Sequence, residues 1–91
     1  MSEKIQTQRK LSDSRIWDNL HISGNYRIDA HGRQDMLNEG IELLDKTLAQ
    51  IESFSALSPE TKREVVIQKK HWGRELSPEE ETFAIDSGII P

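Results

Sequence analysis

A cationic cluster in the second half of the chain is the feature whose residue types and spacing best suit a binding site. Lys69, Lys70, His71 and Arg74 place four potentially cationic side chains around the indole of Trp72. Such a group can hold phosphates and stack on a base or a guanidinium. The alternative is structural, with Trp72 closing the core at a helix C-terminus while the cations offset the negative end of the helix dipole. Lys69, Lys70 and Arg74 are therefore candidate nucleic-acid contacts with a competing structural role.

Catalytic chemistry has little support in the sequence. His21, His31 and His71 lie in separate segments and match no zinc-binding spacing. The serines include no nucleophile elbow, and no phosphate-binding loop is present. The absence of cysteine excludes thiol catalysis, thiolate metal sites and disulfides. We predict that the protein is not an enzyme and has no catalytic residue, metal site or cofactor.

The net charge of −4 conceals an alternation of charged blocks. Residues 1–34 carry six basic and four acidic groups, whereas residues 35–60 carry one and six. Residues 61–74 carry five basic groups and one acidic group, and residues 75–91 carry five acidic groups and no basic one. Adjacent helices of opposite sign would attract one another in a bundle. A domain that binds nucleic acid over its whole surface would be more basic.

Size and composition indicate a single folded domain spanning residues 1–91. Hydrophobic residues make up 34%, and the mean hydropathy of −0.70 leaves little material for a core, so homodimerisation is an option. Leu, Ile, Val and Phe still supply 22 of the 91 residues, which favours folding over disorder. No apolar run exceeds three residues, and the N-terminus lacks a signal-peptide core, so we expect a cytoplasmic protein without a membrane span.

The strongest periodic signal predicts a long amphipathic helix from about residue 33 to residue 54. Its apolar seam alternates in steps of four and three and consists of Leu37, Ile41, Leu44, Leu48 and Ile51. Met36, Leu43 and Phe54 lie off this seam, so several neighbouring elements could cover the helix. Gly40 inside it indicates either close packing or a tolerated defect. We predict that the seam forms the main core or a homodimer interface.

Capping residues predict three further helices. Ser12 and Asp13 begin one that should stop before Gly24 and lead into a turn reaching Gly32. The sequence Leu-Ser-Pro-Glu occurs at 57–60 and 76–79, where each serine can cap a helix and each proline fits the first turn. Ser77 and Glu80 also form a capping-box pattern.

The predicted fold is therefore mainly α, a small four-helix domain with helices near 13–22, 34–54, 59–72 and 78–87. Residues 4–11 alternate Lys4, Gln6, Gln8 and Lys10 with Ile5, Thr7, Arg9 and Leu11, which predicts either a short β-strand or a frayed arm. The predicted core comprises Ile16, Trp17, Leu20, Leu37, Ile41, Leu44, Leu48, Ile51, Phe54, Val65, Val66, Trp72 and Phe83.

The order of the predicted elements within residues 4–50 resembles that of the ribbon-helix-helix regulators of bacterial toxin–antitoxin systems. The resemblance rests on the short polar strand, on Leu11-Ser12-Asp13, on Ser23-Gly24-Asn25-Tyr26 and on Glu39-Gly40-Ile41-Glu42-Leu43-Leu44. It implies a dimer whose paired strands enter the DNA major groove, with a C-terminal extension that neutralises a toxin. DNA contacts would come from Lys4, Gln6, Gln8 and Lys10, and Arg9 is a further cationic candidate.

A small helical adaptor or inhibitor, of bacterial or phage origin, is the alternative without nucleic-acid binding. Both interpretations describe a regulatory protein that binds another protein. The acidic segment 75–91, with its apolar end, either binds that partner or closes the protein's own core. Candidate interface residues are the seam (Leu37, Ile41, Leu44, Leu48, Ile51) together with Trp72, Phe83, Ile85, Ile89 and Ile90.

Overall fold

The computed structural model describes residues 11–91, which form four helices. They are α1 (Asp13–Asp29), α2 (Gln34–Ala49), α3 (Pro59–His71) and α4 (Pro78–Asp86), with a single 3₁₀ turn at Phe54–Ala56 before α3. Helix α1 packs against both α2 and α3, and α4 packs on α3. The predicted mainly α fold of four helices is confirmed. Residues 4–10 of the segment predicted as a strand or a frayed arm (4–11) lie outside the described residues, and Leu11, its last residue, packs against the core.

Serine caps begin three of the helices, as predicted. Ser12 accepts a hydrogen bond from the amide of Arg15, and Ser58 accepts one from the amide of Thr61. At α4 the capping box is complete, because Ser77 Oγ accepts from the Glu80 amide while the Glu80 carboxylate accepts from the Ser77 amide. These bonds satisfy amides that have no partner inside the helix.

Helix α1 does not stop before Gly24, and that prediction is wrong. The helix continues to Asp29, and Gly24 lies buried inside it. A Cβ built on Gly24 would lie 2.6 Å from Nε2 of Gln68 on α3, so this glycine lets α3 approach closely. Packing between helices thus outweighs the weak helix preference of glycine. The turn is confined to the residues before α2, where His31 and Gly32 adopt φ values of 51° and 84°.

Helix α2 is shorter than its apolar periodicity predicts. It ends at Ala49, and Ser53 is extended (φ −147°, ψ 121°). The hydroxyls of Ser53 and Ser55 lie 2.9 Å apart and bond to each other. The amides of Gln50 and Ile51 donate to the carbonyls of Thr47 and Leu48, three residues back, so the last turn tightens and α2 ends there. Ile51 and Phe54 nevertheless pack against the core from this non-helical segment.

The centre of the core is formed by Ile16, Leu20, Leu44 and Val65. Of the predicted α2 seam, only Leu44 is fully buried, while its other members are half-buried. Trp17 is also half-buried and stacks on His21, with ring centroids 4.8 Å apart. Small residues that the periodicity did not indicate are buried instead: Ser23, Ala30, Thr47, Thr61 and Ala84. Short side chains at these positions let the helices lie close together.

Two of the polar contacts that link the helices fix the positions of α3 and α4. The Asp13 carboxylate on α1 accepts hydrogen bonds from the amide and hydroxyl of Ser58, both at 2.8 Å, and from the hydroxyl of Thr61 at the start of α3. Lys69 on α3 pairs with both carboxylate oxygens of Glu80 on α4, at 2.8 and 2.9 Å. Both side chains of this pair are largely buried. The chain therefore uses charge to place α3 and α4.

Candidate protein-binding site

The cationic cluster at the end of α3 is largely used by the fold. Lys69 pairs with Glu80, and the Arg74 guanidinium bonds both carboxylate oxygens of Asp45 on α2, at 3.0 and 3.1 Å. Trp72 caps α3 and packs against the core. Its ring would lie 2.6 Å from a Cβ built on Gly40, so close packing explains why residue 40 is glycine. Lys70 remains exposed, so the structure does not bring these cations together as one free surface.

The remaining nucleic-acid candidates lie outside the described residues; they are Lys4, Gln6, Gln8, Arg9 and Lys10. Within the described part, Arg27 on α1 stacks its guanidinium over the Trp72 ring, 5.4 Å from the centroid. The aromatic face that could have received a base is therefore covered on that side by a side chain of the same molecule.

The acidic C-terminal segment packs on the domain. Ala84 is fully buried, and the Phe83 ring meets Phe54 edge to face, with centroids 5.7 Å apart. The amides of Ile89 and Ile90 both donate to the Ala84 carbonyl, and their side chains are half-buried. Ile85 alone among the predicted interface isoleucines is exposed, at 54%. Most of the apolar residues in this segment thus contribute to the domain's own packing.

A different surface keeps apolar side chains accessible. Along α1 and α2, three open grooves adjoin one another through Tyr26, Leu43 and Lys46. Their apolar lining includes Ile22, Tyr26, Met36 and Leu43. We call this continuous surface the α1/α2 furrow. Its described lining contains no residue of α3 or α4, and Leu11 lies at one end.

The charges of the furrow are unevenly distributed. Asp29, Glu39 and Glu42 line the half near Met36, whereas Lys46 lies toward the end near Leu11. The three carboxylates are exposed, and none lies within ion-pair distance of a cation of residues 11–91, although Glu39 interacts electrostatically with Arg33. An apolar floor with an acidic rim suits a partner that carries both apolar and basic side chains.

The sequence contained part of the signal for this surface. Of the three apolar residues that lie off the predicted seam, Met36 and Leu43 line the furrow, whereas Phe54 packs against the core. Ile22 and Tyr26 are one helical turn apart on α1, but their common face exists only because α1 continues through Gly24. Which face α3 leaves uncovered depends on tertiary packing and has no local sequence signal.

No catalytic constellation is brought together among the described histidines. His21 lies 3.7 Å from Glu64, His31 is in the turn before α2, and His71 ends α3 beside Trp72. Residues 11–91 contain no group of three or more His, Asp or Glu side chains placed to hold a metal ion. No helix in that range combines the length and apolar character needed to cross a bilayer.

Comparisons with protein-family models, with curated proteins and with solved structures give no match to this chain.

Proposed function

We propose that this protein is a non-enzymatic regulatory protein that acts by binding another protein through the α1/α2 furrow. The observation that carries the proposal is the accessible apolar floor between α1 and α2, whose lining includes no residue of α3 or α4. Ile22 is 46% exposed there, next to the half-buried side chains of Tyr26, Met36 and Leu43. Adjacent apolar side chains with a charged rim are typical of protein–protein contact surfaces.

A small helical adaptor or inhibitor is the form of this function that the geometry supports best. Such a protein needs a stable scaffold and one contact surface, and it needs no catalytic group. The hydroxyls of Ser58 and Ser77 cap helices, and the Asp13 carboxylate accepts hydrogen bonds from Ser58. Most apolar side chains of α4 and the residues after it pack on the domain, whereas Ile22 in the furrow stays exposed.

The antitoxin-like form of the proposal adds DNA binding through residues 4–10. It stays a prediction, since those residues lie outside the described part of the chain. The ion pairs of Lys69 and Arg74 lower the support for phosphate binding at the end of α3. A gel-shift series over salt concentration tests this form, because affinity for DNA must fall steeply as salt rises.

Affinity capture with matched variants tests the furrow as the binding surface. Ile22→Gln removes an exposed apolar contact from the furrow, and Ile85→Gln makes the same change on α4. Because both positions are about half exposed, both variants are expected to stay folded. We expect a protein captured by the unmodified chain from its native host to be lost with Ile22→Gln and retained with Ile85→Gln. The reverse pattern would assign binding to α4 and reject the furrow.

A further inference from the structure

We infer that the α1/α2 furrow receives a basic amphipathic helix, an inference that rests on the proposed function and specifies its partner. The length of the furrow matches that of a short helix. Its floor runs beside α2 from Met36 to Gln50, a distance of about 21 Å at 1.5 Å per residue. A helix of about four turns fits this length, and its apolar stripe can meet the furrow at positions i, i+3, i+4 and i+7.

The rim supplies the second argument, which concerns charge. Asp29, Glu39 and Glu42 outnumber Lys46 among the charged residues that line the furrow. Asp29 and Glu42 have no ion-pair partner within residues 11–91, and Glu39 has only a longer-range attraction to Arg33, so the rim can still attract a cation from outside. An acidic helix placed there would meet like charges, which disfavours it.

The charge distribution also gives the bound helix a direction. The carboxylates lie beside the Tyr26 and Met36 end, and Lys46 lies toward the Leu11 end. Lysine and arginine side chains of the partner therefore belong at the Met36 end. An uncharged or acidic end of the partner helix belongs beside Lys46.

A second copy of this chain is a poorer occupant. Two furrows facing each other would bring both sets of Asp29, Glu39 and Glu42 together with only the two Lys46 side chains to offset them. The net charge of −4 on each copy adds to that repulsion.

Direct titration with synthetic helices tests the inference on the full chain. The probe is a 15-residue peptide with leucines at i, i+3, i+4 and i+7 and lysines on its flanks. One comparison peptide has every lysine replaced by glutamate, and another has the basic composition in scrambled order. Fluorescence anisotropy at low and physiological salt measures each affinity. We expect the basic amphipathic peptide to bind at least about tenfold more tightly than either comparison peptide.

Variants of the rim locate the interaction. The double change Glu39→Gln and Glu42→Gln should weaken binding of the basic peptide by about three- to tenfold, the range for two exposed ion pairs. Glu79→Gln with Glu81→Gln removes two exposed carboxylates from α4 and should leave the affinity unchanged. Equal losses in both variants would indicate attraction by overall charge and overturn the inference.

The remaining outcomes separate this inference from the proposed function. Equal binding of the basic and acidic peptides, lost in Ile22→Gln, would overturn the basic partner while leaving the furrow as a binding surface. Failure of every peptide to bind would overturn the helix inference, whereas the proposed function would fall only if host-protein capture were also insensitive to Ile22→Gln.

Two other occupants of the furrow can be detected. If sedimentation shows that the unmodified chain is a dimer and that Ile22→Gln is a monomer, a second copy is the occupant and the inference is overturned. If replacing Lys4, Arg9 and Lys10 by glutamine raised the peptide affinity tenfold or more, the chain's own N-terminus would be the competing occupant, which also overturns the inference.

Discussion

At the residue scale, Asp13 is the side chain that most clearly connects two helices. Its carboxylate accepts hydrogen bonds from the Thr61 hydroxyl and from the amide and hydroxyl of Ser58. The Thr61 bond and the Ser58 bonds lower the pKa of Asp13 below its ordinary value of 3.8, and partial burial opposes this change. Since the folded state favours the charged form, Asp13 stabilises the fold fully above its unfolded pKa. That contribution is lost as the pH falls through the lower folded pKa.

Replacing Asp13 with asparagine should therefore destabilise the protein in a pH-dependent manner. We expect a loss of about 1–2 kcal/mol in the free energy of unfolding at pH 7, because hydrogen bonds to a charged acceptor are replaced by weaker ones at a partly exposed site. The difference from the unmodified protein should shrink below pH 3.8. Urea denaturation at pH 7, 5 and 3 measures it, with Asp18→Asn on exposed α1 surface as the control. A loss of the same size at every pH would show that the charge of Asp13 plays no part.

Replacing two buried threonines with valine should change the free energy of unfolding in opposite directions. Thr47 and Thr61 are each 1% exposed, but Oγ1 of Thr47 has no hydrogen-bond partner among the described residues, whereas Thr61 bonds Asp13. Thr47→Val should raise the free energy of unfolding by about 1 kcal/mol, since valine has the same shape without an unsatisfied hydroxyl. Thr61→Val should lower it by a similar amount. Thermal melts distinguish the two, because 1 kcal/mol shifts Tm by about 4–8 °C in a domain of this size. Destabilisation by Thr47→Val would indicate that its hydroxyl is satisfied.

At the element scale, the close approach of the helices depends on two glycines in helical positions. Gly40 faces the Trp72 ring, and the hydroxyl of Ser23 donates to its carbonyl oxygen at 2.9 Å. Gly24 faces the amide of Gln68, the far end of a longer and more flexible side chain. A methyl group would enter contacts shorter than 3 Å at both sites, but only at Gly40 is the obstacle a rigid ring.

Gly40→Ala should consequently cost more stability than Gly24→Ala. Alanine favours a helix over glycine by about 1 kcal/mol, but overpacking against Trp72 costs about 1–3 kcal/mol, so the net change at Gly40 is destabilising. At Gly24 the Gln68 side chain can rotate away, so the loss should be smaller. Chemical denaturation of both variants checks the order. A more stable Gly40→Ala protein would contradict the close packing of Trp72 on α2.

The helix starts could be predicted from sequence because their causes are local. Ser58 and Ser77 each precede proline and glutamate, and the hydrogen bonds that cap α3 and α4 lie within a few residues. The length of α1 was not predictable in this way, because Gly24 ends a helix in most contexts and remains helical here through contact with Gln68. Likewise, the burial of Leu44 could be predicted from the apolar periodicity, whereas the furrow beside Leu43 depends on how the helices pack.

At the scale of the whole molecule, the C-terminal segment belongs to the domain's packing. Deleting residues 75–91 would remove Glu80, the ion-pair partner of Lys69, and Phe83, whose ring contacts Phe54. It would also expose the surface beneath Ala84. We expect a marked fall in Tm and a less cooperative transition, since apolar surface now covered by α4 would be exposed to water. Circular dichroism on heating measures both. If the truncated protein melts like the full chain, α4 is dispensable for folding and becomes a candidate partner-binding element.

The central claim is that the α1/α2 furrow is where a partner protein docks, and site-specific photo-crosslinking in the native host tests it most directly. A photoreactive phenylalanine analogue placed at Ile22 lies in the furrow, and the same group at Ile85 lies on α4 with similar exposure. The account predicts a discrete adduct with one other protein from position 22 and none with that protein from position 85. An adduct formed only from position 85, or equal adducts from both positions, would contradict it.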